Sequence, residues 1–297
     1  YVRLAVEVMD RCGIDCSVTL EWHDGFGDNL KRHLEAFDRY PGRFVVFGNV
    51  DWSRINEPGF GERAARQLEL DVAAGMRGLK VYKALGLEYR HPDGRLWRVN
   101  DPALDPIWAK AGELGIPVLI HTADPPAFWE PVYEHNFWNG VLYGEYAWWS
   151  YYRRGYPSPE ELLGERNEII GRHPSTIFIC PHVGSRAERA AHSREFLIAY
   201  QDRILLGTDM IYDDTNVPTG MQAQCLYQPG EIALGDADAE ARYIETSTAF
   251  FLAHMDFMRT ARMQANPPFK RNREGFTLQG VRLPDDVCEK ILWCNAA

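Results

Sequence analysis

"IPVLIHTAD", residues 116–124, runs five apolar residues together and then presents a histidine. A strand without polar alternation is buried on both faces, which is the mark of a parallel sheet covered by helices. Pro117, Leu119 and His121 share one face, so the imidazole comes at the strand's C-terminal end. The stretch before it is a helix signal. Asp101-Pro102 supplies an N-cap and a first-turn proline, Leu104, Ile107, Trp108, Ala111 and Leu114 form an apolar face, and Gly115 ends it.

The same alternation repeats outward in both directions. "CSVTLEW" (16–22), "RFVVFGNVDW" (43–52), "RGLKVYKAL" (77–85), "STIFICPHVG" (175–184) and "RILLGTDM" (203–210) read as further strands. Between and around them, 2–13, 28–40, 61–75, 158–171 and 186–200 read as helices, with Ser158-Pro159-Glu160-Glu161 a capping box. Six strands are readable, and polar residues recur at their C-terminal ends, where (β/α)₈ barrels keep their chemistry. No Gly-x-Gly-x-x-Gly turn follows any strand, which argues against an open dinucleotide-binding sheet. After residue 209 the pattern changes to a loop at 220–235, a helix at 238–260, a surface turn "NPPFKRNREG" (266–275) and an amphipathic helix "LPDDVCEKILWCNAA" (283–297). No linker divides the chain. The expectation is one domain over 1–297, with an aromatic-rich insertion at about 125–157.

A net charge of −10 argues against nucleic acid or a membrane surface as partner and leaves a small-molecule substrate, with self-association open. No apolar run approaches the roughly 18 residues of a membrane span. Six cysteines without a Cys-x-x-Cys pair read as free thiols in a reducing, cytoplasmic compartment, although a removed leader before Tyr1 stays open.

Four strands end on groups that could meet on one rim: Lys80 with Lys83, His121, His182 and Asp209. Ile204, Leu205 and Leu206 read as a strand buried on both faces, and an unpaired buried charge after it would cost several kcal/mol. Asp209 therefore caps the next element, pairs with a cation or holds a metal. Two imidazoles and a carboxylate suit a divalent ion, zinc first, with one position open for a water whose pKa falls to about 7. Singly, each residue has a plainer use as a hydrogen-bonded strand-end histidine or an N-cap. Together, at the ends of three successive readable strands, they point to a metal.

"GLKVYKALGL", "PVLIHTADPPAFWEP", "TIFICPHVGS" and "RILLGTDM", in this order and spacing, resemble the amidohydrolase superfamily, and most closely its amidohydrolase-2 branch of hydrolases, lactonases and decarboxylases. The resemblance covers about 16–297 and implies a distorted (β/α)₈ TIM barrel. It implies His121 as the fifth-strand metal ligand, His182 as the sixth-strand ligand, and Asp209 as the eighth-strand acid that ligates metal or serves as base. The chain departs from that pattern in two places. It has no His-x-His pair, which the family carries on its first strand, so the first strand is not readable. Asp209 comes only 27 positions after His182, where the family fits two βα units, so the seventh strand is not readable either.

Alternation places Gly78, Lys80 and Tyr82 toward the barrel interior, while Lys83, one turn of pleat higher, points toward solvent or the substrate. A buried lysine must pair, lose its proton or react. Some superfamily members carbamylate a fourth-strand lysine to bridge two metals, and the resemblance makes Lys80 the candidate. Glu21, His23, Asn49 and Asp51 end the two earlier strands and could line the substrate side or simply cap loops. Arg186, just after His182, is a candidate anion clamp or the start of a surface helix. Twelve aromatics lie between Phe128 and Tyr156. Most read as a satellite core, with Trp129 a candidate pocket wall.

The expected activity is attack of metal-bound hydroxide on a small ester, lactone or amide. His121, His182 and Asp209 hold the ion, Asp209 moves the proton, and Lys80 binds an anionic group. Non-oxidative decarboxylation of a small carboxylic acid is the alternative on the same site. A catalytically inactive barrel with a binding role is the third reading.

Overall fold

The computed structural model describes residues 2–20, 24–133, 136, 142, 147–182, 190–207, 235–265 and 277–292. They form two compact units. The first comprises Cys16–Pro131 with Tyr151–Arg186; the second comprises Tyr1–Asp15, Val132–Ser150 and Ala187–Ala297.

In the first unit, strands β1 (Ser17–Leu20), β2 (Phe44–Gly48), β3 (Gly78–Val81), β4 (Val118–Ile120) and β5 (Phe178–Ile179) make one sheet, in the order β1-β2-β3-β4-β5. Every pair is parallel, with Thr19 beside Val46, Gly48 beside Leu79, Lys80 beside Leu119 and Leu119 beside Ile179. Helices Gly27–Asp38, Phe60–Ala74, Asp105–Glu113 and Pro159–Arg172 fill the crossovers. A strand order that follows the sequence without reversal is the winding of an α/β barrel, whereas a doubly wound sheet reverses. The fold is thus α/β with a curled half-barrel of parallel strands.

β3 is buried along its whole length, Lys80 included, as a strand covered on both faces is. β1, at the edge, alternates instead, and its Val18 and Leu20 remain exposed. The helices begin where capping chemistry puts them. The Ser158 hydroxyl accepts from the Glu161 amide at 3.1 Å and the Glu161 carboxylate accepts from the Ser158 amide at 2.7 Å, closing the capping box. Asp101 accepts from the Ala103 amide at 2.9 Å and starts a 3₁₀ turn, Pro102–Leu104, that leads into the helix at Asp105.

In the second unit, Leu4 and Val8 of helix Val2–Cys12 pack with Tyr243 and Ile244 of helix Ala237–Arg259. A separate cluster joins Leu197 of helix Ala190–Ala199 and Met258 to Val287, Cys288 and Ile291 of helix Asp285–Leu292. Strands β6 (Met263–Ala265) and β7 (Thr277–Gln279) pair antiparallel, a hairpin the sequence reading lacks; the intervening turn lies outside the described residues.

The sixth strand expected at 203–210 is corrected over its described part. Gln201–Arg203 is a 3₁₀ turn and Ile204–Gly207 joins no sheet. Ile204 and Leu206 pack on the second cluster while Leu205 stays 42% exposed, so one face is buried rather than two. The Leu206 amide is taken by the Ile291 carbonyl at 3.2 Å, a helix end doing what a strand neighbour would have done. Cys12, Cys16, Cys180 and Cys288 are thiols rather than disulfide partners. Among the described residues no helix is long and apolar enough to cross a membrane.

Candidate metal centre

The C-terminal ends of β3, β4 and β5 bring together side chains far apart in sequence. His121 follows β4 directly, and its amide donates to the Val81 carbonyl of β3 at 2.9 Å. His182 follows β5 after Cys180-Pro181 in a left-handed backbone turn, φ +56°. The two imidazoles approach to 4.6 Å between ring centroids, tilted at 57°. The Tyr82 ring, just past the end of β3, meets His121 edge-on at 5.8 Å.

Burial holds the His121 pKa well below the usual imidazole value, and the charges of His182, Lys80 and Lys83 push the same way. A hydrogen bond to the Ala123 backbone works against the shift. Held neutral by burial, the ring keeps a lone pair on one nitrogen, the form in which imidazole ligates.

This donor chemistry fits a divalent ion that prefers imidazole. Among the described residues no group of three His, Cys, Asp or Glu is gathered at one point. Asp209, the third donor expected from sequence, lies outside the described residues, as do His23, Glu21 and Arg186.

Lys80 is buried in β3, where alternation placed it. Lys83 corrects its expected exposure: it is 3% exposed and its ammonium lies 2.6 Å from Asp124 Oδ2. The cause is local. β3 stops at Val81 and the chain turns at Ala84–Leu87, so the two-residue alternation that would send Lys83 outward no longer applies. The Lys83 ammonium also stands over the rings of Phe128 at 5.6 Å and Tyr82 at 5.9 Å. Tyr151 donates its hydroxyl to the same Asp124 oxygen at 2.8 Å. Burial, and then the Asp124 charge, raise its phenol pKa far above normal.

Asp124 and Tyr151 are the residues that sequence reasoning missed. The signal was present: an acid three residues after His121, matching a lysine three residues after Lys80 on the adjacent strand.

The remaining described positions make the following contacts. Asp51 caps the turn Trp52–Arg54, accepting from the Ser53 amide at 3.2 Å and its hydroxyl at 2.5 Å. Buried Asn49 accepts from the Gly25 amide at 2.8 Å and donates to the Lys80 carbonyl at 3.1 Å, latching the start of a crossover to β3. Trp129 donates its indole N–H to the Pro157 carbonyl at 2.8 Å and packs on Tyr151 at 4.6 Å. Its ring belongs to the satellite packing of the first unit.

Residues 22–194, more than half of the chain, match the family described as amidohydrolase, of the amidohydrolase-2 type. The chain belongs to the amidohydrolase-2 family of enzymes. No curated protein matches it. Among solved structures it is similar to a 2,6-dihydroxybenzoate decarboxylase from Rhizobium, with 14% identity, 98% of this chain and 85% of that one covered, and a TM-score of 0.48. A dihydroxybenzoic acid decarboxylase from Polaromonas sp. JS666, holding manganese and the inhibitor 2-nitroresorcinol, is 16% identical over 98% of this chain and 83% of that one, with a TM-score of 0.46. An amidohydrolase from Mycobacterium avium subsp. paratuberculosis K-10 is 17% identical over 98% and 71%, with a TM-score of 0.42. At such identities and scores these likenesses assign no reaction to this chain.

Proposed function

We propose that this chain is a metal-dependent amidohydrolase-2 enzyme that removes the carboxyl group of a small aromatic acid as CO₂. The observation that carries the reading is the 4.6 Å approach of His121 and His182 at the mouth of parallel strands in a chain of this family. The sequence expectation put hydrolysis of an ester, lactone or amide first; the charge around the site favours the other order. Lys80 is buried in β3 and its positive charge falls on the His121 ring, while the Lys83 charge is answered by Asp124. A substrate carboxylate gains from that field, while a neutral ester makes no use of it.

His121 and His182 would hold the ion, Asp209 would carry the proton, and Lys80 would pair with the carboxylate. When bound, a divalent ion would draw the substrate's carboxylate and its neighbouring oxygen to the strand ends. Asp209 gives its proton to the ring carbon as the bond to the carboxyl group breaks; the bonding pair stays on carbon and CO₂ departs. Manganese is the ion to supply first, because zinc, expected from the sequence, has no support from the structures named above.

The test is CO₂ release from 2,6-dihydroxybenzoate by the full chain loaded with Mn²⁺, beside hydrolysis of a lactone and an aryl ester. We expect CO₂ without water consumption. We also expect the variant carrying His121→Ala with His182→Ala to lose more than about 100-fold in Mn²⁺ affinity, since even residues behind the ligands cost 10–100-fold. Lactone cleavage without CO₂ would replace the reading with hydrolysis. Equal metal content in wild type and variant would remove it in favour of an inactive barrel.

A further inference from the structure

Within the second unit, the end of helix Ala237–Arg259 gathers positive charge in a chain whose net charge is −10. An open cleft of about 500 Å³ lies there, lined by Arg259, Thr260, Ala261, Arg262 and Arg282. That volume is in the range of small-molecule sites. Four amides build its walls. Gly280 donates to the Arg262 carbonyl at 3.0 Å, Val281 to that of Phe257 at 2.8 Å, Arg282 to that of Thr260 at 3.1 Å and Leu283 to that of Met258 at 2.8 Å. A methyl group on Gly280 would overlap the Thr260 carbonyl oxygen, so the two segments meet backbone to backbone.

The helix end alone does not explain these arginines. Arginine at a helix C-terminus ordinarily donates to the last carbonyls. Here the carbonyls of Phe257, Met258 and Thr260 already take backbone amides. Asp256 accepts from Arg262 Nη2 at 2.7 Å, which uses one of the five N–H groups of that guanidinium and fixes its place in the cleft. The Arg282 guanidinium has no hydrogen bond or ion pair among the described residues. Its backbone adopts φ +45°, the left-handed region that glycine enters freely and a residue with a Cβ avoids. The bond to Thr260 holds it there, as does Arg194 Nε, which donates to the Arg282 carbonyl at 3.2 Å. A strained backbone that keeps an arginine where glycine would fit better points to the side chain as the reason.

We propose that this cleft binds a small phosphate monoester. A dianionic phosphate presents oxygens that guanidinium forks grip in pairs. Arg262 and Arg282 come from the two segments that the amide bonds hold side by side, so their forks border one space. The cleft shares no residue with the candidate metal centre, and the proposal stands apart from the reaction proposed above.

The test is calorimetric titration of the full chain, stripped of metal with a chelator, with phenyl phosphate. We expect saturable binding at millimolar concentration or below, weakened about tenfold or more by Arg262→Gln, as loss of a charge-assisted hydrogen bond does. Arg282→Gly separates binding from folding. Glycine takes the left-handed backbone without strain, so this variant should melt at or above the wild-type temperature and still lose about tenfold in affinity. The variant carrying His121→Ala with His182→Ala should bind phenyl phosphate as wild type does. Loss of binding there would place the phosphate at the strand-end histidines and overturn the proposal. Affinity within about twofold of wild type in both arginine variants overturns it too, as does the absence of saturable binding. Equal or tighter binding of phthalate, a dicarboxylate of similar size, would make the cleft a general anion surface and sink the phosphate assignment. Tighter binding of a short RNA than of phenyl phosphate would give the cleft to a polyanion instead.

Discussion

Gly61 shows how a single missing side chain seats a helix. It lies in the first turn of Phe60–Ala74, and a methyl group added there would overlap the carbonyl oxygen of Ala103, a backbone atom that cannot swing aside. On an open helix face, Gly→Ala gains up to about 1 kcal/mol. Here the sign reverses. Gly61→Ala should destabilise by about 1–3 kcal/mol, the usual cost of overpacking, read as a lower urea midpoint with an unchanged slope; a stabilised variant would show that the two segments separate freely. The residue scale is also where sequence legibility breaks down. Lys80 was placed correctly because it lies inside β3, where alternation holds. Lys83 and Asp124 lie past the ends of β3 and β4, where it does not, and their 2.6 Å pairing is set by two turns that no periodicity encodes.

Elements were legible where their end signals are chemical. The capping box at Ser158, the Asp101-Pro102 start and the glycine after Glu113–Leu114 all mark real boundaries. The stretch from Arg203 to Gly207 was misread because an apolar triplet looks the same whether one face or two are buried. Only the helix 285–292 that takes up the Leu206 amide decides it. The long helix Ala237–Arg259 carries a prediction of its own. His254 is half-buried under Phe250, at 4.4 Å between rings, and its Nδ1 bonds the Phe250 carbonyl at 2.8 Å. Burial lowers its pKa below the ordinary imidazole value, and the carbonyl bond only partly offsets this. The unfolded chain therefore takes up the proton first as pH falls through about 6.5, and stability contributed by the neutral ring is lost below that point. His254→Gln should lower the melting temperature at pH 7.5 and lose less on going to pH 5.5 than wild type does. Parallel pH profiles for the two proteins would show that His254 titrates alike in both states.

On the scale of the whole molecule, the sequential parallel order was legible because strand and helix signals alternate along the chain, and one handed winding satisfies every crossover. The candidate centre was legible only in part. His121 and His182 stand at strand ends, where the winding itself carries them together, whereas Asp209 depends on a segment whose strand the sequence overstated. A site assembled from separate crossovers has a consequence for the entire fold: an ion bound by His121 and His182 binds the folded chain and not the unfolded one. Mn²⁺ at 100 times its dissociation constant should then stabilise by about 2.7 kcal/mol. For a chain of this size that is a rise of roughly 5 °C in melting temperature. A chelator should reverse the rise, and His121→Ala with His182→Ala should abolish it while the metal-free melting temperature stays close to that of wild type. An equal Mn²⁺ shift in the variant would place the ion elsewhere on the surface, and the strand-end pair would then be two histidines in contact with no metal between them.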